Sequence, residues 1–250
     1  MDYIIGTLIF LYGLIFGSFL NVLIYRIPRK NFFKSAKSYC PNCKHKLAWY
    51  DLIPVFSFLF LRGRCRYCKE KISVRYPIVE LSNAVLWLLS FIVFRTSLQD
   101  TILSCALFSL LLVISGIDLD ISEIPNGLVI AVLVLAIIRF ILSFFFGSVV
   151  WYEYLIGAVC ISVPFLIIAL ITGGGIGGGD IKLCFAVGLF LGWKLMLLGT
   201  FFGIVIAGII ALVMMIKFKK SGTMPLGPSL CVGFVISLLS GYSLLTLIFG

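Results

Sequence analysis

Residues 3–25 carry no charged side chain, and this uncharged run of 23 residues restricts the folds open to the chain more than any other feature. Wound as an α-helix, it is roughly 35 Å long and crosses a hydrocarbon core about 30 Å thick. Uncharged or nearly uncharged runs recur at 77–94, 101–117, 127–146, 154–172, 195–216 and 226–249. A soluble domain has about 25% charged and about 45–50% apolar residues. Here 12% are charged and 62% hydrophobic, with mean hydropathy +1.18. That composition excludes disorder, and the 24 glycines follow no collagen-like period. The runs far exceed the roughly 10-residue alternating segments of a membrane β-barrel. The expected fold is an all-α polytopic membrane protein.

Charge sets the topology. There are 20 Lys and Arg against 10 Asp and Glu, and 13 of the 20 cations lie between Arg26 and Arg75. Nucleic acid or an acidic partner is one reading of such a patch. The reading taken is a cytoplasmic loop that obeys the positive-inside rule and rests on anionic lipid, with no nucleic-acid partner. The first run has no basic segment before it and no small-residue cleavage site, unlike a signal peptide. Its flanking cations Arg26, Arg29 and Lys30 follow it, which places the N-terminus outside. Only 11 uncharged residues separate Lys182 from Lys194, a short crossing. Counting that segment as the sixth span keeps Lys217, Lys219 and Lys220 cytoplasmic. The expectation is eight spans with both termini outside. Residues 1–25 form the first helix, 26–76 a cytoplasmic loop, and 77–250 a membrane domain of about seven helices. No internal repeat is evident.

The basic loop holds two cysteine pairs, Cys40 with Cys43 and Cys65 with Cys68, 21 residues apart. Two thiolates three positions apart on a tight turn bind one ion, and two such turns complete a tetrahedron. The surrounding Lys and Arg favour thiolates. Two disulfides are the alternative, disfavoured in a reducing cytoplasm. Zinc is the expected ion, in a structural role, because four cysteines leave no open position. His45, the one histidine, is read as a solvated loop residue rather than a substituted ligand. Cys105, Cys160, Cys184 and Cys231 stand in apolar segments and are read as packing residues. The apolar stretch 52–61 is too short to cross and suits the membrane interface.

Charged groups at membrane depth are rare and usually functional. Asp118 ends the third span and Asp180 begins the sixth, so the cation-derived topology puts both at one depth on one face. Two facing carboxylates share a proton: one activates water while its protonated partner polarises a scissile carbonyl. The bland alternative is that these acids cap helices or meet headgroup cations. Asp120, two residues beyond Asp118, lies about 200° round a helix and cannot face the same partner. Gly173–Gly179 is six glycines and one isoleucine. It reads either as an anion cradle or as space for an extended substrate strand beside Asp180. The G-x-G-x-x-G match inside it follows no strand, so the dinucleotide reading is discarded.

Together these pieces resemble the type IV prepilin peptidase family. Gly17-Ser-Phe-Leu-Asn-Val-Leu-Ile-Tyr-Arg-Ile-Pro28 resembles its N-terminal signature. The four cysteines, residues 47–54 (Leu-Ala-Trp-Tyr-Asp-Leu-Ile-Pro) and residues 61–64 (Leu-Arg-Gly-Arg) resemble its first loop. Asp118 followed by Ile124-Pro125-Asn126 resembles its first aspartate motif. Gly177-Gly178-Gly179-Asp180 with Lys182-Leu183 resembles its G-x-G-D motif, and Gly192-Trp193 fits downstream. The resemblance implies an endopeptidase that cuts the basic leader from type IV prepilins or pseudopilins after a glycine. The cut is made at the cytoplasmic face of the bacterial inner membrane, with Asp118 and Asp180 as the catalytic pair. Asp120 is second choice, because the motif sets its aspartate six residues before the isoleucine. Members with the long first loop also methylate the new N-terminal amine with S-adenosyl-L-methionine; no residue of this sequence is assigned to that cofactor. Lys182 can meet the acid that such pilins carry near the new N-terminus. The rival classes are a presenilin-like protease, a transporter and an assembly scaffold with a structural zinc loop. The first two call for acids deeper in the bilayer; the third calls for acids that can be replaced without loss.

Overall fold

The structure is a computed structural model and describes residues 2–29, 38–40, 42–146, 150–218 and 225–249. Lys30, Lys219 and Lys220, used above for topology, lie outside the described residues. The helices are α1 (Asp2–Arg26), α2 (Phe56–Phe60), α3 (Arg75–Phe94), α4 (Leu98–Ile121), α5 (Asn126–Phe146), α6 (Trp151–Cys160), α7 (Ser162–Ile171), α8 (Gly178–Leu191), α9 (Trp193–Phe218) and α10 (Gly227–Phe249), with a short 3-10 helix over Trp49–Leu52. No strand forms among the described residues; the two bridges are isolated pairs. Among the described residues, six segments are long and apolar enough to cross a membrane: α1, α3, α4, α5, the α6–α7 pair and α9. The expected count of eight is therefore met by six on length and composition. The chain divides into two compact units, Met1–Val113 and Ile114–Gly250.

In the first unit, α1 packs along α3. Gly13 and Gly17 make the contact: a Cβ on Gly13 would lie 2.7 Å from Ala84 Cα, and one on Gly17 would lie 2.6 Å from Glu80 Cα. Within hydrocarbon there is little hydrophobic drive between helices, so small residues that let backbones touch and polar side chains that bridge them supply the attraction. The bridges are present. Asn83 Nδ2 donates to Gly13 O (2.8 Å), Ser109 Oγ donates to Asn83 Oδ1 (2.8 Å), and Trp87 Nε1 donates to Ser109 Oγ (3.0 Å). Asn21 Nδ2 donates to Tyr76 O (3.1 Å).

The loop between α1 and α3 is tied to α3 by an unusual turn. Val55 has φ 61 and ψ −51, and the Phe56 amide donates to Pro54 O across it (2.6 Å). This is a γ-turn of the strained hand, costing about 1–3 kcal/mol for a β-branched residue. The turn aims the Val55 N–H at Glu80 Oε2 (2.7 Å), on a side chain that is buried in the second turn of α3. A charge-assisted hydrogen bond of about 1.5–3 kcal/mol offsets a strain of that size.

In the second unit α8 is central, in contact with α5, α6, α7, α9 and α10. It buries every residue from Ala186 to Leu191. The sequence expectation of a sixth span over this region is met by a helix of 14 residues, about 21 Å long and short of a bilayer core. Its apolar character serves burial inside the unit. Gly157 of α6 and Gly188 of α8 meet backbone to backbone. Gly192, at φ 78, ends α8 and lets α9 start at the next residue. Residues 154–172, read as one span, break at Ile161 between α6 and α7. Pro164 explains the break, because its ring clashes with the carbonyl four residues back, that of Cys160.

Candidate functional site

α4 runs past the end expected for the third span and stops at Ile121, so Asp118 lies in its last turn. A helix continuing through this region puts Asp118 and Asp120 on different faces. Asp118 is 5% exposed, whereas Asp120 is exposed. Asp180 enters from the first turn of α8, three residues after the N-cap Gly177. The Gly177 carbonyl accepts from the amides of Asp180 (3.1 Å) and Ile181 (3.3 Å).

Both carboxyl groups converge on Gly227, the first residue of α10. A Cβ there would stand 2.5 Å from Asp118 Oδ2 and 3.5 Å from Asp180 Oδ1. The two oxygens are thus no further apart than the sum of those distances. Both are buried, and neither has a hydrogen-bond partner among the described residues. Gly227 opens α10, so its amide is one of the first-turn donors beside the Asp118 carboxyl. First-turn amides lack an intrahelical acceptor, and the positive end of the helix dipole favours an anion there. Each acid therefore sits at a helix N-terminus, Asp180 at that of α8 and Asp118 against that of α10.

Around the pair, Gly179 leaves room for Ile124, whose Cβ would be 2.9 Å from a Cβ at that glycine. Lys182 Nζ donates to Asn126 Oδ1 (3.1 Å), joining the G-x-G-D segment to the Ile-Pro-Asn segment. Gly173 and Gly174 hold positive φ, are exposed, and face open space. Gly227 is the residue that sequence reasoning missed. The available signal was Pro225-Leu226-Gly227-Pro228, a turn-forming run directly before a helix.

The second cluster lies in the first unit. The sulfurs of Cys40, Cys43, Cys65 and Cys68 all fall within 4.8 Å of one another, with Cys40 Sγ and Cys68 Sγ 3.9 Å apart. A tetrahedral zinc with bonds of about 2.3 Å sets sulfurs about 3.8 Å apart, so this cluster can hold a metal ion. All four are free thiols rather than disulfides. The His45 ring packs on Tyr67, centroids 3.7 Å apart, and is outside the four-cysteine group.

The two halves of the cluster repeat one another, a local repeat the sequence reading passed over. Both read Cys-x-x-Cys-Lys-x-Lys. In each, the first cysteine amide bonds the carbonyl five residues on (Cys40 to His45, 3.0 Å; Cys65 to Glu70, 2.8 Å). In each, the lysine after the second cysteine is left-handed (Lys44 φ 57, Lys69 φ 61). Tyr39–Lys46 and Arg64–Lys71 form matching bridges. The Cys68 amide, then that of Tyr67, points at Cys65 Sγ and draws its thiol down to about 7, which suits a metal ligand.

Comparison with known proteins covers the segments that carry both clusters. The family described as "Bacterial Peptidase A24 N-terminal domain" matches residues 11–94, which contain the four cysteines. The family described as "Type IV leader peptidase family" matches residues 105–212, which contain Asp118 and Asp180. Among curated relatives, the prepilin leader peptidase/N-methyltransferase of Bacillus subtilis (strain 168) is 35% identical over 243 residues, covering 96% of each chain. Its namesake from Vibrio cholerae serotype O1 is 33% identical, covering 94% of this chain and 97% of its own. That from Klebsiella pneumoniae is 35% identical, covering 76% and 86%. No solved structure matches. With both family matches in order along the chain and identity at this level from end to end, the chain belongs to the type IV leader peptidase family.

Proposed function

We propose that this multi-pass membrane protein is an aspartic endopeptidase that removes the basic leader from type IV prepilins or pseudopilins. The cut falls after the leader's last glycine at the cytoplasmic face of the inner membrane, and the same protein then N-methylates the new N-terminus. The observation that carries the peptidase reading is the convergence of two buried, otherwise unpartnered carboxyl oxygens on Gly227. At an upper-limit separation of about 6 Å, two carboxylates repel by roughly 3 kcal/mol at an effective dielectric of about 20, which favours the singly protonated pair over two charges. The unprotonated member takes a proton from water as that water attacks the scissile carbonyl. The protonated member hydrogen-bonds the carbonyl oxygen, and a proton then passes to the leaving amine. No covalent enzyme intermediate is needed. The largely exposed run Gly173–Gly179, six of whose seven residues are glycine, offers the unwound substrate a nearly bare backbone.

On this reading residues 1–25 anchor the chain, 26–76 form the cytoplasmic loop, and 77–250 carry the peptidase. The apolar side chains Trp49, Phe56, Leu59 and Phe60 are exposed and lie in the membrane interface beside this basic loop. The methyl donor is S-adenosyl-L-methionine. Bound, it would supply an electrophilic methyl group: its sulfonium S–CH3 bond would break as the N–C bond forms, the demethylated thioether would leave, and the acceptor amine would give up a proton. Wild-type protein purified in detergent should shorten a prepilin by its leader, and adding the donor should add one methyl mass to the product. An uncut prepilin in this mass-spectrometric assay would refute the peptidase reading.

The four-cysteine cluster holds zinc and fixes the loop. Elemental analysis should find one zinc per chain, and Cys40→Ser or Cys65→Ser should each remove most of it. Retention of zinc in both variants would place the metal elsewhere.

A further inference from the structure

The first turn of α8 carries Asp180 yet stands at the edge of the packed core. Burial in α8 begins at Leu183, whereas Gly178 and Lys182 are exposed and Gly179, Asp180 and Ile181 are half-buried. The glycine run before this turn restrains it little, because glycine has the freest backbone. The two carboxyls also repel each other whenever both are charged, which pushes the turn away from Asp118. We infer that the hydrogen bond from Lys182 Nζ to Asn126 Oδ1 (3.1 Å) is the clasp that holds this turn in place. Lys182 and Asn126 are then positioning residues for the acid pair. The inference rests on the peptidase reading above and adds to it what sets the spacing of the two acids.

Each end of the clasp is joined to one acid by a short, fixed length of chain. On one side, the Asp118 carbonyl accepts from the Ser122 amide (2.8 Å), which closes α4. Pro125 then opens α5, its carbonyl accepting from the amides of Leu128 (3.0 Å) and Val129 (3.4 Å). Asn126 is the first residue of α5, so two fixed helix ends connect it to Asp118. On the other side, Lys182 follows Asp180 by two residues in α8. That advance turns its side chain about 200° from that of Asp180, so it grips α5 without entering the space between the acids. A second contact backs the first, because Ile124 fills the space that Gly179 leaves. Lys182 also stands against the local field, since the start of a helix favours anions and not cations. An acceptor that draws its Nζ off that turn relieves the conflict, and Asn126 Oδ1 is such an acceptor. Lysine has donors and no acceptor, so the bond fixes which way round the Asn126 amide stands. Both side chains are exposed, so the bond adds little to overall stability. Its effect is on the geometry of the pair.

The test measures kcat and KM for leader cleavage by the full-length protein in detergent. Lys182→Met removes the donor and Asn126→Leu removes the acceptor. Each should lower kcat about 10-fold, since a displacement of about 1 Å at reacting groups costs up to about 100-fold. KM should stay within about 2-fold. The double variant should be no slower than the slower single variant, because one bond is lost only once. Asn126→Asp keeps an acceptor for Lys182 and should hold kcat within about 3-fold of wild type. The thermal midpoint should move by about 2 °C or less in every variant. A rise in KM at unchanged kcat in Lys182→Met, with Asn126→Leu unaffected, overturns the clasp and makes Lys182 a substrate contact. Losses that multiply in the double variant also overturn it, as does Asn126→Asp as slow as Asn126→Leu. A kcat loss seen only together with a fallen midpoint is unfolding, and overturns it too. If either apolar variant fails to fold, Lys182→Ala and Asn126→Ala take the same measurement. Wild-type rates in both single variants defeat the clasp alone. A wild type that cuts no prepilin defeats the peptidase reading, and the clasp with it.

Discussion

Asp118→Asn and Asp180→Asn are each expected to lower the rate of leader cleavage by about 10³-fold or more. Asp120→Asn is expected to stay within about 2-fold of wild type. An amide is nearly isosteric with a carboxyl but cannot take the proton from water, so the loss reads chemistry rather than packing. The contrast with Asp120 comes from the helix. Because α4 continues to Ile121, two residues of advance turn Asp120 away from the pair and out to an exposed face. The measurement is the initial rate of mature product, weighed by mass spectrometry, from equal amounts of each purified protein. Full cleavage by either of the first two variants would make the acids helix caps and overturn the paired-acid mechanism.

Gly227→Ala is the second large effect. The added Cβ would stand 2.5 Å from Asp118 Oδ2, closer than carbon and oxygen approach without a bond. Either the carboxyl rotates away or the first turn of α10 withdraws from it. A displacement of about 1 Å at reacting groups costs about 100-fold, so cleavage should fall by about that factor. The four-cysteine cluster lies in the other unit, so metal content should not change, which separates this loss from general misfolding. Activity within a few-fold of wild type would mean that the two carboxyls do not work against Gly227.

Much of this arrangement can be read in the sequence because charges are scarce. The cations alone put Asp118 and Asp180 at a common depth, and cysteine spacing alone paired Cys40 and Cys43 with Cys65 and Cys68. The remainder fails for identifiable reasons. Hydropathy marks where apolar residues stop, not where backbone hydrogen bonds stop, so α4 outran its span by four residues, from Ile117 to Ile121. A helix largely buried by protein has the same composition as one buried in lipid, which is why α8 reads as a crossing. Gly227 carries no side chain, and a search for chemistry-bearing groups passes over a residue whose contribution is vacant space. The tie between the loop and α3 depends on where Glu80, itself an apparent blemish in an apolar run, meets the strained Val55.

The duplicated cysteine knuckles also set an order in time. At about 5–20 residues per second, Cys65 and Cys68 leave the ribosome roughly 1–5 s after Cys40 and Cys43. During that interval the nascent chain offers two thiols of a four-thiol cage. A half-cage binds ions loosely and oxidises readily, so the hazardous moment for the metal loop comes during synthesis, before its second knuckle exists. Once the second knuckle closes on the first, each half shields the other.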